Sequence, residues 1–175
     1  MRTVVLRVAA LALLLLLSLV GVIAVRTLQR VPDTVVYFVS DRGTTFTLEG
    51  VNRRLGRQGP SERATAQVAA LAHGPTADEA ARGLRSNVPA DTVLLGTAFA
   101  GGTLTVDLSG AFERGGGTAA MLGRLNQLFY TLTQPGDVSA VRLLLEGVPV
   151  SVFSADGLLV DDPWVRGERS GLPVW

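Results

Sequence analysis

DTVLLGTAFAGGTLTVDLSG, residues 91–110, decides how the rest of the chain is read. Its halves, TVLLGTAF and TLTVDLS, are rich in apolar and β-branched residues. They meet at Gly101-Gly102, a pair that accepts the positive φ angles of a tight hairpin turn. In the second half Leu104, Val106 and Leu108 alternate with Thr103, Thr105 and Asp107, so a strand here has one buried and one wet face. An apolar sheet face needs a covering layer, and the flanking segments supply helices.

Upstream, SERATAQVAALAH (61–73) carries Ala64, Val68, Leu71 and Ala72 at helical spacing, with Ser61 as the expected N-cap. Gly74 stands where a left-handed C-cap is wanted, and Pro75 cannot continue the helix. Thr76 and Glu79 then form the T-x-x-E capping box of a short second helix, closed by Asn87-Val88-Pro89. Further upstream, TVVYFVS (34–40) reads as a strand ending at Asp41-Arg42-Gly43, and TFTLEGV (45–51) as a second, with Phe46 and Leu48 on one face. Downstream, GGGTAAMLGRLNQLFYTLTQ (115–134) becomes the main helix, with Leu122, Leu125, Leu128, Phe129 and Leu132 sharing a face. VSAVRLLLEGVPVSVF (138–153) supplies two extended runs broken at Glu146-Gly147. The order β-β-α-α-β-β-α-β-β predicts an α+β domain over residues 34–153, with helices packed on a mixed or antiparallel sheet. Residues 154–175 form a polar C-terminal tail.

The first 30 residues have another character. VAALALLLLLSLVGVIAV, residues 8–25, is uncharged between Arg2 and Arg7 on one side and Arg26 and Arg30 on the other. Its length suits a single spanning helix, so residues 1–30 are expected to act as a signal anchor holding residues 8–25 in a membrane. Val22 and Ala24 also present small residues for signal-peptidase cleavage after Ala24. The expected location is the cell membrane, single-pass, with the C-terminal domain extracytoplasmic.

Composition closes several classes of chemistry. There is no cysteine, which removes disulfides, thiolate metal sites, thiol nucleophiles and a lipid-modified cysteine. All 16 basic residues are arginine, so a phosphate-loop lysine and a Schiff base are both excluded, and the formal net charge of +1 gives no basis for nucleic-acid binding. The densest basic stretch, VNRRLGRQGPSER (51–63), reads as a solvated loop or as a contact for anionic polymer.

Residues with chemical potential are few. His73 invites a general base oriented by Asp78 or Glu79, although carboxylates in a helix's first turn already serve its dipole. Asp107 and Glu113 are the paired acids a glycan hydrolase would use. Asp156, Asp161 and Asp162 offer oxygens without the interleaving of a calcium loop. Gly115–Gly117 before a helix lacks the spacing of a nucleotide fingerprint. Trp164 and Trp175 either strap the tail over the domain or contact a partner. These patterns yield no assigned catalytic, cofactor-binding or metal residue.

VVYFVSD (35–41), VNRRL (51–55), ATAQVAALAHGPTADEAARGLRSNVPADTVLL (64–95), LTVDLSGAF (104–112), LNQLFYTLTQ (125–134) and VRLLLEG (141–147) together resemble the GerMN domain, the sporulation and spore-germination domain. The resemblance covers residues 34–153 and implies a fold akin to ring-building motifs, on proteins facing away from the cytoplasm. It implies a non-catalytic interaction or assembly module without cofactor. The expected partner is an envelope protein or a second copy. The alternatives are an envelope hydrolase acting on wall glycans and passive binding of wall polymer.

Overall fold

The computed structural model describes residues 13–22, 32–40, 47–56, 59–134, 136–154, 157–160 and 162–166. The chain divides into two compact units, residues 1–32 and 33–175. In the first unit residues 13–22 are helical, with apolar side chains such as Leu13, Leu16 and Leu19 exposed. No helix among the described residues is long and apolar enough to cross a membrane, and the remainder of the 8–25 run lies outside them.

The second unit is a mixed α+β fold. Strand β1 (Thr34–Ser40) pairs antiparallel along its length with β2 (Thr47–Arg53), and β3 (Leu84–Arg85) joins only its last two residues. Phe46 lies outside the described residues. A second sheet holds β4 (Leu94–Ala100), β5 (Thr103–Leu108), β6 (Ala140–Leu145) and β10 (Trp164–Val165) in the order β10-β6-β5-β4. Strands β5 and β6 run parallel, the other pairs antiparallel, and β7 (Val148–Pro149) folds back on β6. A small hairpin joins β8 (Val152–Phe153) and β9 (Leu158–Leu159). Between the strands lie α1 (Pro60–His73), α2 (Ala77–Ala81), a short 3-10 turn at Gly110–Glu113 and α3 (Thr118–Leu132).

The 91–110 hairpin forms as its sequence dictates. Gly101 and Gly102 have φ of 56° and 80°, and Leu104, Val106 and Leu108 are fully buried. They share one core with Val36 and Phe38 of β1, Ala64, Val68 and Leu71 of α1, and Leu125, Leu128 and Leu132 of α3. Helix α3 is apolar on more than one side because it packs deeply: Met121, Leu125 and Phe129 are buried along with Arg124, Gln127 and Thr131.

Those buried polar groups have a structural task. Along β1, Tyr37 donates its N–H to Thr131 Oγ1 at 3.0 Å, and its carbonyl accepts from Gln127 Nε2 at 3.1 Å. Gln67 of α1 donates to the Thr131 carbonyl at 2.7 Å and to Thr34 Oγ1 at 3.2 Å. Side chains of α3 thus stand in for a neighbouring strand where β3 does not reach, which meets the demand that buried backbone groups be paired.

Three local expectations are corrected. Ser61 is not the cap of α1: Gly59 is the N-cap, and Pro60 at the first helical position supplies the preset φ and one fewer orphan N–H. Gly74 has φ 83° and ψ −172°, an extended glycine conformation rather than the left-handed helical one, while its N–H still reaches the Ala70 carbonyl. Helix α2 ends at Ala81, not at Asn87-Val88-Pro89, because Gly83 at φ 88° turns the chain into β3.

Candidate functional site

The two helices around Gly74-Pro75 are joined by a completed capping box. Thr76 N donates to Glu79 Oε2 at 2.9 Å and Glu79 N to Thr76 Oγ1 at 3.4 Å. Glu79 also accepts two bonds from Arg53 on β2, at 2.7 and 2.5 Å, so the box is bolted to the first sheet. The Arg53 guanidinium lies 5.6 Å from the Phe38 ring centre. Arg53 holds the Glu79 carboxyl at a pKa of about 2 against the opposing effect of burial, with further help from the Thr76 N–H. His73 is exposed at the end of α1 and Asp78 is exposed in α2, while Glu79 is buried and committed to Arg53. The structure therefore does not assemble a histidine and carboxylate pair here.

Asp107 and Glu113 are likewise engaged. Asp107 Oδ1 accepts the Gly147 N–H at 2.9 Å, and Glu113 Oε1 accepts the Ser154 N–H at 2.7 Å. Each carboxylate fastens a different turn. Nearby, Glu146 at φ 50° accepts the Gly110 N–H at 2.7 Å. An open hollow of about 440 Å³ lies between Asp91, Val93, Ser109, Arg114 and Glu146, with Asp91 and Arg114 paired across it at 2.6 Å. Asp162 pairs with Arg142 at 2.7 Å, and Asp156 and Asp161 lie outside the described residues. No group of three potential metal ligands occurs among the described residues.

The glycine triplet is organised by a cation instead of an anion. Buried Arg124 donates to the carbonyls of Asn87, Phe112 and Gly115 at 2.8, 2.6 and 3.0 Å. At least one triplet carbonyl therefore points inward to a guanidinium, the reverse of a phosphate cradle, which offers N–H groups. Burial lowers the Arg124 pKa. In the basic stretch, Arg53 is bound to Glu79 and Arg63 to Asp137, which takes two of its arginines out of reach for polymer; Arg57 lies outside the described residues.

The tail is anchored by Trp164, 7% exposed, stacked on Phe129 at 4.9 Å and edge-on to Tyr130 at 5.5 Å. Arg166 sits 5.1 Å from the Tyr130 ring centre and 5.8 Å from that of Tyr37, and donates to Thr133 Oγ1 at 2.6 Å. Trp175 lies outside the described residues. Sequence reasoning missed the roles of Arg53, Arg124 and Arg166. For Arg53 a signal existed, since the capping-box glutamate was known and only its partner was not. Arg124 and Arg166 sit in unremarkable contexts, and only the packed structure reveals their acceptors.

Among the described residues two strands of seven residues, β2 and β4, have no strand paired to their outer side. Strand β4 ends its sheet, no strand among the described residues pairs with its outer side, and Val93, Leu95 and Phe99 are exposed at 54%, 50% and 39%.

Comparison with known proteins follows the same lines. The chain is similar to the tandem GerMN domains of the sporulation protein GerM from Bacillus subtilis, with 21% identity, a TM-score of 0.59 and coverage of 77% of this chain and 44% of that one. It spans less than half of that tandem structure. Against the first GerMN domain of the same Bacillus subtilis protein the values are 20% identity, a TM-score of 0.62, and coverage of 76% of this chain and 96% of that one. A crystal structure from Clostridium perfringens is also similar, at 17% identity and a TM-score of 0.54, with 75% and 85% covered. No curated protein matches. At these identities the structural likeness speaks for the fold alone. The family described as sporulation and spore germination matches residues 35–151, two thirds of the sequence, and the chain belongs to that family.

Proposed function

We propose that this chain is a non-catalytic interaction module of the cell envelope, held at the membrane by residues 8–25 with the domain on the extracytoplasmic side. The observation that carries the reading is the engagement of the acidic side chains. Asp107, Glu113 and Glu79 each accept backbone N–H groups that fix turns or caps, which leaves them as clips instead of reagents. A tether confines the domain to a thin layer, where raised local concentration lets a modest contact suffice. The tandem domains of the Bacillus subtilis relative put two copies of the fold in one chain.

The test is crosslinking of the full-length protein in its native membrane, followed by mass spectrometry, beside a chain whose leader is replaced by a cleavable one. A specific envelope protein or self-oligomer captured only with the native leader is the expected result. Capture of neither overturns the reading. The competing hydrolase requires wall-degrading activity that disappears in Asp107→Asn and Glu113→Gln.

A further inference from the structure

The C-terminal end of α3 and the margin of β6 together form a groove with two unlike pockets. Phe129 and Tyr130 wall an aromatic pocket, which Trp164 fills. Beside it, the carbonyls of Tyr130 and Thr133 lie at the end of α3, where a helix leaves oxygens without intrahelical partners and its dipole is negative. Arg166 donates to these two carbonyls at 3.2 and 3.3 Å and to Thr133 Oγ1 at 2.6 Å, with the Tyr37 and Tyr130 ring centres 5.8 and 5.1 Å from its guanidinium. Between the pockets the backbone runs as a strand. Trp164 pairs with Val141 and Val165 with Ala140, and the Arg166 N–H donates to the Ser139 carbonyl at 3.3 Å. Trp164 and Arg166 enter the groove, while Val165 between them is 62% exposed. Main-chain bonds along a sheet margin, with pockets for alternate side chains, are the means by which sheets recognise extended peptides.

From this geometry we infer that the groove is a recognition site for an extended peptide segment carrying an aromatic residue and, two positions on, an arginine, and that residues 162–166 are its resident ligand in cis. The inference rests on the proposed interaction role and deepens it by naming the site and the chemistry of the partner. Two observations separate a ligand from a piece of the fold. The walls of the groove all lie within residues 35–151, the stretch the family matches, and the occupant lies wholly beyond it. The occupant's backbone is also lightly held: β10 has two ladder positions, and its further tie, Asp162 to Arg142 at 2.7 Å, joins exposed side chains. A segment held in this way opens locally and yields its place to the same chemistry supplied in trans. The pockets set the specificity. Lysine lacks the planar fork that reaches several oxygens at once while lying against tyrosine rings, and a smaller apolar residue leaves the Phe129 face uncovered.

The full-length chain carrying Trp164→Ala and Arg166→Ala together presents the groove without its resident ligand. A fluorescein-labelled peptide of residues 161–168, DDPWVRGE, is the probe. In anisotropy titrations of the detergent-solubilised chains, it should bind the double variant at least about tenfold more tightly than the native chain, a difference of about 1.4 kcal/mol. The same peptide with Trp164→Ala, or with Arg166→Lys, should bind the double variant at least about tenfold more weakly than the unaltered peptide. Circular dichroism should show the double variant folded. Where it does not, the single Arg166→Ala chain, which keeps the Trp164 anchor, carries the test with the same order of affinities and a smaller ratio. Equal binding to the native and opened chains, or binding indifferent to both peptide substitutions, overturns the groove. That result beside a specific partner captured in membranes leaves the proposed function standing, and failure of both overturns the two together.

Discussion

The stretch matched by the family, residues 35–151, and the segment after it are held by different means. In the first, five strands of six or seven residues are joined in ladders, with the two-residue strands β3 and β7 added at their margins, and caps and carboxylate clips secure the connections. In the second, β8, β9 and β10 contain two residues each, and attachment falls to the short pairing of β10 on β6, to Phe153 buried against Phe112, to the Glu113 and Arg142 contacts, to Trp164 against Phe129 and to Arg166 between Tyr37, Tyr130 and Thr133. Ladders distribute stability along a strand, whereas such point contacts concentrate it in a few side chains. Residues 158–160 and 162–166 should therefore open locally before the body unfolds.

That contrast is open to attack, and the largest effect belongs to the body. Glu79→Ala leaves Arg53 without its carboxylate and removes half of the capping box, so denaturant unfolding should show a loss of about 3–5 kcal/mol. Acid offers the same perturbation without mutation. The folded pKa of Glu79 is depressed from 4.5 to about 2, so its stabilisation is complete above pH 4.5 and is lost as pH falls toward 2. The depression corresponds to roughly 3 kcal/mol, and the Glu79→Gln chain should lack this part of the acid dependence in pH-resolved melts.

Gln127→Leu comes next. It orphans the Tyr37 carbonyl and the Asn87 N–H together, and should cost about 2–3 kcal/mol in global unfolding with accelerated exchange along β1. The smallest effect is expected from Arg166→Ala, at about 1–2 kcal/mol. Amide exchange should quicken at residues 164–166 while β1 and β5 stay unchanged. Equal quickening of β5 would show that the segment and the body open as one, and the contrast would fall.

How much of this was legible in the sequence varies with the range of the interaction. The hairpin at Gly101-Gly102, the alternation of Leu104, Val106 and Leu108, and the box from Thr76 to Glu79 are set by neighbours along the chain, and all are present. The α+β class followed from the same periodicities. Illegible were the split into two sheets and the parallel register of β5 on β6, because pairing across a helix leaves no local mark. The first cap was misplaced for a similar reason. Ser61 has the right chemistry, but Pro60 starts the helix and the cap falls two residues earlier, at Gly59. The roles of Asp107 and Glu113 were hidden because their partners, Gly147 and Ser154, lie about 40 residues away.

The parallel pairing of β5 and β6 also governs the order in which the domain can assemble. The β4–β5 hairpin closes over two glycines and can form on the order of microseconds. Strand β6 reaches β5 only after the whole passage through α3 has been brought round, a longer closure that must precede its first hydrogen bond. During that interval β5 has a bare flank of its own, and both sides of the hairpin are unpaired where the folded sheet leaves only the β4 side of it so. The rate at which α3 delivers β6 therefore sets how long a newly made chain is vulnerable to aggregation.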